Sequence, residues 1–253
     1  MENSLINGSL NPVVVIPARM ASTRLPGKPL CDIKGQPMIV HALRRAEEAD
    51  IGPVFVAVAD KILAEVVTEA GGNAVMTESD LPSGSDRVWQ AVEKIDPSRN
   101  FNFVINLQGD LPAIEPEIIR AVLNPVQMLG CEISTLASEL KNGQDYIDQN
   151  SVKVVVAFQK SQQLGNALYF SRASVPFGPG PLYHHIGVYG FTRDALEKFI
   201  CLPTSLLEKR EKLEQLRALE AGIRIGVEIV DTIPDGVDTQ EDLDRVRIRL
   251  ESD

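Results

Sequence analysis

Long apolar runs are missing from this chain of 253 residues: no uninterrupted stretch approaches the ~18 residues that a membrane-spanning helix needs, so no membrane insertion is expected. Cysteine is scarce. Cys31, Cys131 and Cys201 are odd in number, far apart and free of CxxC spacing, which argues against a disulfide framework or a zinc site and for a reducing compartment. Positive charge is in deficit, with Lys+Arg 25 against Asp+Glu 35 and a net charge of -10. Such a chain lacks the broad basic face that a nucleic-acid backbone demands, so no nucleic-acid partner is expected. A small anionic ligand needs only a local concentration of cations. Internal repeats and low-complexity linkers are also absent. The first dozen residues, Met1 to Pro12, lack the basic start and apolar middle of a signal peptide. They are expected to form a disordered tail (1–12), and the protein to be cytoplasmic.

What is present is the balance of an ordinary globular protein, 44% hydrophobic and 24% charged. Short β-branched runs alternate with helical periods. Val13–Ile16, Val54–Val58, Ala74–Met76 and Phe103–Leu107 read as strands. Helices are expected from Pro37, over 62–70, over 85–95 and over 115–128, with Gly71-Gly72 as one stop signal. Successive βα units imply a mostly parallel, Rossmann-like α/β sheet, because parallel strands need crossovers. From Glu132 the rhythm changes. Strands at 152–156, 167–170 and 186–190 follow with little helix between them, then a helical stretch over 205–221 opening on a capping-box pattern, a strand over 223–230 and a closing helix from Thr239. The expected organisation is one domain over 13–253 with an inserted mixed-strand lobe near 160–215.

In a parallel sheet, ligands sit outside the carboxyl ends of the strands. The first strand runs into a loop with Arg19, Arg24 and Lys28, and no acid occurs between Val13 and Cys31. This local reversal of sign in an acidic chain suits a polyphosphate, which needs neutralising charge, guanidinium forks and backbone donors. The loop is neither a Walker loop nor a GxGxxG turn; the competing reading is a solvated basic loop. Asp110 lies in a Gly-Pro turn after the fourth strand, and Asp238 stands at the mouth of the last helix. Each has an ordinary use, as a turn residue or as an aid to a helix N-terminus. Together they can hold Mg²⁺, which takes few carboxylates plus phosphate oxygens, although spacing alone does not pair them. Ser83-Gly84-Ser85-Asp86-Arg87 is a small-residue turn that admits a ligand closely or simply caps a helix.

The string Pro17-Ala-Arg-Met-Ala-Ser-Thr-Arg-Leu-Pro-Gly-Lys28 resembles the signature of the CMP-Kdo synthetases, the 3-deoxy-manno-octulosonate cytidylyltransferases. The resemblance continues in order through Gly35–Met38, Ser83–Arg87, Gln108–Asp110, Tyr169–Arg172, His185–Gly190, Leu213–Arg217 and Gly236–Asp242, nearly the whole chain. It implies transfer of CMP from CTP to Kdo (3-deoxy-D-manno-octulosonate), with release of pyrophosphate, as a step toward lipopolysaccharide. By the same resemblance Arg19, Arg24 and Lys28 grip the triphosphate, and Ser83, Gly84, Arg87 and Gln108 face the nucleotide. Asp110 and Asp238 hold Mg²⁺, while Gln108, Arg172, His185, Tyr189 and Glu214 surround the sugar acid. A homodimer through the inserted lobe is implied as well. The catalytic set on this reading is Arg19, Lys28, Asp110 and Asp238. The rival readings are a cytidylyltransferase for 8-amino Kdo or another acidic sugar, and a non-catalytic nucleotide-binding relative.

Three departures from the family pattern stand out. Leu111 occupies a position where Glu is common, and Met20 one where an aromatic is usual. The stretch from Ala173 to His184 is short and rich in Gly and Pro, and it borders the implied sugar pocket.

Overall fold

The computed structural model describes residues 9–22, 24–141, 143–159 and 162–251. The chain forms two compact units, one of Leu10–Arg120 with the C-terminal stretch from Pro234, the other of Ala121–Ile233. The single domain expected from sequence, with a lobe at 160–215, thus resolves into a second unit that starts earlier and ends later. The reason is that strands on either side of that range complete its sheet.

In the first unit, β1 (Pro12–Ala18) carries Val13, Val14, Val15 and Ile16, all fully buried, as a β-branched run between two neighbouring strands must be. Two two-residue strands, β2 (Asp32–Ile33) and β3 (Gln36–Pro37), form a hairpin ahead of α1 (Met38–Glu48). Then come β4 (Val54–Val58), α2 (Lys61–Glu69), β5 (Asn73–Met76), α3 (Gly84–Ile95), β6 (Phe103–Asn106) and α4 (Pro116–Ala121). The four long strands lie in the order β5-β4-β1-β6, all parallel, so their carboxyl ends share one edge.

The expected tail is corrected at its end: Pro12 already belongs to β1. Asn11 is anchored by its N–H to Asn102 Oδ1 at 2.7 Å and by Nδ2 to the Asn100 carbonyl at 3.1 Å. Residues 1–8 of that tail lie outside the described residues.

In the second unit, α5 (Asn124–Leu129) leads to β7 (Ile133–Glu139), α6 (Gly143–Ile147), β8 (Lys153–Phe158), β9 (Leu164–Ser171) and β10 (Tyr183–Thr192). Next are α7 (Arg193–Cys201), α8 (Leu206–Glu211), α9 (Leu216–Glu220) and β11 (Ile225–Ile229). Strand β7 pairs parallel with β11 and antiparallel with β10; β9 pairs antiparallel with β11 and with β8. Tyr183↔Val154 and His184↔Lys153 bring β8 back to β10, so five strands curl into a ring. The chain then returns to the first unit for α10 (Gln240–Glu251).

Three expectations are corrected here. The helix over 115–128 is two helices, because Pro125 has no N–H to offer the Ala121 carbonyl. The helix over 205–221 is broken at Lys212, which adopts a left-handed conformation (φ 57°). Strand β7 and helix α7 went unread, since Ser134, Thr135 and Ser138 dilute the apolar pattern of β7 although all three are buried. Among the described residues, no helix is long and apolar enough to cross a membrane.

Candidate active site

The first loop begins after Ala18, and Pro17 is tolerated in the strand before it. Val14 donates its N–H toward β4, so by alternation Pro17 faces β6, beyond the final Val15↔Asn106 pairing. Its missing donor falls where the ladder has ended. The loop is then tied down from α2's side: the Met20 N–H donates to Asp60 Oδ2 at 2.9 Å. Met20 also packs over the turn at Gly27, whose φ of 67° starts the short 3-10 turn that carries Lys28 inward.

Lys28 is the centre of the site. Its side chain is only 16% exposed, and Nζ donates to Asp110 Oδ2 at 2.7 Å, the Val237 carbonyl at 2.9 Å and Asp238 Oδ1 at 3.1 Å. Burial pulls its pKa down, but Asp110 and then Asp238 more than offset this, and the ammonium is held above its usual range. Arg24 adds a second cation, 3.1 Å from Asp238 Oδ2, in a solvent-exposed pair of the kind worth only ~0–1 kcal/mol.

The two acidic loops are stitched together by the Val237 N–H, which donates to the Asp110 carbonyl at 2.9 Å. Asp238 does not cap α10. Thr239 does so with Asp242: the Asp242 N–H donates to Thr239 Oγ1 at 3.2 Å, and the Thr239 N–H returns to Asp242 Oδ2 at 2.9 Å. Asp238 is thereby left facing Lys28. The turn at Asp110 depends on Gly109, where a Cβ would stand 3.0 Å from Ile39 Cδ1 and 3.4 Å from the Pro17 carbonyl oxygen. Leu111, the departure from the family pattern, is buried and packs beneath Gly236.

These loops line a cleft of about 380 Å³ together with Arg19, Ser22, Ser83, Gly84, Arg87 and Gln108, and Met38 and Ile39 contribute apolar surface to it. Ser83 does cap α3: its Oγ accepts from the Asp86 N–H at 3.2 Å and donates to Asp86 Oδ2 at 2.7 Å. Arg87 is buried and held by Thr77 Oγ1 and by the Glu78 carbonyl at 2.9 Å. Its pKa is lowered first by burial and then by the like charge of Arg19, with Asp60 opposing. Two guanidinium groups close enough to repel make this wall receptive to an anion. Gln108 is steered by donating from Nε2 to Asn106 Oδ1 at 3.0 Å.

The carboxylate pair already converges on one cation, the Lys28 ammonium, and both donors are hard oxygens. That donor set fits Mg²⁺. Among the described residues, no group of three or more His, Cys, Asp or Glu is placed to hold a metal ion.

Of the expected sugar-side residues, Gln108 stands in the first unit and the other four in the second. A bulge in β10 brings His185 and Tyr189 together. His185↔Ala137, Ile186↔Leu136 and Tyr189↔Thr135 leave Gly187 and Val188 without partners. Four residues of regular strand would span ~13 Å, yet these rings lie 5.4 Å apart. The Thr135 hydroxyl closes the bulge, with the Val188 carbonyl at 2.9 Å and His185 Nε2 at 3.0 Å. Burial, then the neighbouring His184, lowers the His185 pKa to about 3, so its ring is neutral at pH 7. Burial and then Glu214 push Tyr189 well above its usual range. Glu214 also faces Arg217 at 3.6 Å, whose guanidinium forks onto Glu208. His184, beside His185 on the strand, is hydrogen-bonded through Nδ1 to Ser151 Oγ at 2.7 Å.

Arg172 follows the last residue of β9 and donates from Nε to the Glu211 carbonyl and from Nη1 to the Gln149 carbonyl, both at 2.9 Å. Sequence reasoning missed Asp60, Thr135, Glu211 and the carbonyl of Val237. All four act through contacts that no spacing encodes.

Residues 13–225 match the sequence family described as Cytidylyltransferase. The chain is 58% identical to the 3-deoxy-manno-octulosonate cytidylyltransferase of Rhodospirillum rubrum, over 94% of this chain and 95% of that one. It is 54% identical to the protein of the same name from Paramagnetospirillum magneticum, covering 96% and 99%. Its fold is similar to that of a CMP:2-keto-3-deoxy-manno-octonic acid synthetase solved in complex with CTP, with a TM-score of 0.87, 37% identity and coverage of 96% and 99%. A 4-diphosphocytidyl-2C-methyl-D-erythritol synthase from Anaerococcus prevotii, 12% identical with a TM-score of 0.65, shares the fold alone.

Proposed function

The chain belongs to the family of 3-deoxy-manno-octulosonate cytidylyltransferases, and from that premise we propose that it transfers CMP from CTP to the anomeric 2-hydroxyl of Kdo. The observation that carries this reading is Lys28, charged and bound between Asp110 and Asp238 in a cleft whose other wall holds Arg19 and Arg87.

The reaction is an in-line displacement. The sugar oxygen forms a bond to the α-phosphorus, the α–β bridging bond breaks, and its electron pair leaves on pyrophosphate while the hydroxyl proton is lost. Positioning and charge stabilisation dominate such a transfer. Asp110 and Asp238 would hold Mg²⁺, which when bound supplies charge neutralisation at the phosphates and a lower pKa for the attacking hydroxyl. Arg19, Arg24 and Lys28 hold the triphosphate and take up charge on the departing pyrophosphate. Ser83 and Gly84 present the start of α3 to the nucleotide, and Arg87, locked onto Thr77 and Glu78, fixes the turn between them.

On the sugar side, Arg172 receives the carboxylate with a planar fork, and Gln108, His185, Tyr189 and Glu214 satisfy hydroxyls. A histidine held at about 3 is a weak base, so His185 serves by hydrogen bonding and not as the proton acceptor. The same proposal places the enzyme in the cytoplasm, in lipopolysaccharide synthesis and as a homodimer; exposed Phe177, Ile147, Leu168 and Leu206 on the second unit offer apolar surface for such contact.

The test is pyrophosphate release from CTP with Kdo, 8-amino Kdo and sialic acid as acceptors. Kdo should give the highest kcat/KM. Faster turnover of 8-amino Kdo would reassign the substrate, and tight CTP binding with no release for any acceptor would identify a non-catalytic nucleotide binder.

A further inference from the structure

One carboxylate in the second unit gathers more donors than its place on a short helix requires. Glu211, the last residue of α8, accepts from the Ser171 hydroxyl at 2.9 Å, the Tyr169 hydroxyl at 3.2 Å and the Arg172 N–H at 3.0 Å. Its main-chain carbonyl accepts from Arg172 Nε at 2.9 Å. Four bonds therefore join one residue to Tyr169, Ser171 and Arg172, at and just after the end of β9.

Local structure explains how this is possible. Ser205 and Glu208 form a capping box that starts α8, and the left-handed turn at Lys212 ends it. Carbonyls in a last helical turn lack intrahelical donors, and that of Glu211 takes Arg172 instead. Lys212 adopts φ 57° without being glycine, a conformation that costs ~1 kcal/mol or more and persists where its surroundings hold it. Burial acts against ionisation of Glu211, but its donors outweigh it, and the carboxyl stays below its ordinary range.

The consequence falls on Arg172. Its guanidinium donates to two neutral carbonyls, those of Glu211 and Gln149, which fix the plane of the fork, while the Glu211 carboxylate acts on its charge only through space. The carboxylate of Glu211 is turned to the main chain and hydroxyls instead. An arginine oriented by carbonyls is prepared to meet an anion from outside.

We propose that Glu211 is a positioning residue, whose ionised carboxylate and carbonyl set where Arg172 presents its guanidinium to the substrate carboxylate. This rests on the reading of Arg172 as the sugar-acid clamp. Glu211 itself touches no substrate.

The experiment is a double-mutant cycle on the full-length enzyme. Glu211→Gln keeps the length of the side chain but sets an amide donor among donors. It should raise KM for Kdo ~10-fold, with KM for CTP within ~2-fold and an unchanged melting temperature. In an Arg172→Lys background the same substitution should add less than ~2-fold, because its effect runs through the fork. Full additivity, or equal losses for both substrates, would overturn the proposal while leaving the clamp intact. If Arg172→Lys and Arg172→Ala both leave KM for Kdo unchanged, the clamp reading itself is wrong, and the positioning role falls with it. Should Glu211→Gln not fold, Ser171→Ala removes one anchor of the carboxylate and should raise KM for Kdo ~3-fold with CTP untouched; no change would count against the proposal.

Discussion

The two units handle charge in opposite ways. In the first, the site is made of loops at strand ends, and its carboxylates stay partly in water: Asp110 and Asp238 are 32% and 48% exposed, while the cations Lys28 and Arg87 are drawn in. In the second, His185 and Tyr189 sit on a bulged strand, the first buried and the second half-buried, and are held neutral by desolvation. On the proposed reading the first unit meets a polyphosphate, which is recognised by groups that must remain charged, so its carboxylates keep contact with water. A sugar is recognised by hydroxyls, so neutral donors and acceptors in a dry setting serve it better, because a wrong partner leaves them unsatisfied.

The contrast breaks most sharply at the carboxylate pair. Asp110→Asn and Asp238→Asn should each remain folded yet lose on the order of 10²–10³-fold in kcat, a size common for removal of one preorganised electrostatic group. The loss should persist at saturating Mg²⁺, and chelation should abolish wild-type turnover. Near-normal kcat in either variant would free that residue from the metal role.

A pH series addresses the second unit. The folded pKa of His185 is lowered to about 3 from 6.5, so the unfolded chain binds the extra proton between those values. Its neutral burial favours folding above pH 6.5, and stability falls as pH drops toward 3, by on the order of 3 kcal/mol at pH 4 from this group alone. Denaturant titrations from pH 4 to 7 should therefore be steeper in pH for wild type than for His185→Gln. Parallel curves would mean that the imidazole is not held neutral by the fold.

Lys28→Ala sharpens the comparison on the first unit. It should weaken CTP ~10–100-fold but CMP only ~2–3-fold by calorimetric titration, since the tail supplies the charge it meets. Equal losses would place Lys28 away from the tail. The smallest effect expected is for Thr239→Ala, which removes the cap of α10 and should cost about 1 kcal/mol in urea unfolding. Its kcat should fall only slightly, because Asp238 keeps its contacts with Lys28.

Particular residues illustrate what was readable. The β-branched run at Val13–Ile16, the Ser83 cap and the Ser205–Glu208 capping box each declare themselves within a few residues, because strand burial and helix capping depend on near neighbours. The cationic loop was legible as an excess of one sign. Asp238 was ambiguous, since its spacing from Thr239 fits a helix cap as well as a metal site. The tertiary fold excludes the cap, giving it to Thr239 and Asp242, and turns Asp238 toward a lysine 210 positions away.

By itself the sequence determined the parallel βα order of the first unit, the edge of the sheet at which the cleft opens and, through motifs in order, the family. These follow from local periodicity, chain connectivity and residue identity. The tertiary structure decided which groups share a site and in what state. The bulge at Gly187-Val188 sets the His185–Tyr189 distance, the turn at Lys212 directs Glu211 to Arg172, and burial outweighs the intrinsic pKa of His185. Such outcomes depend on pairings between residues far apart in the chain and on exclusion of water, and neither is written in any short stretch of residues.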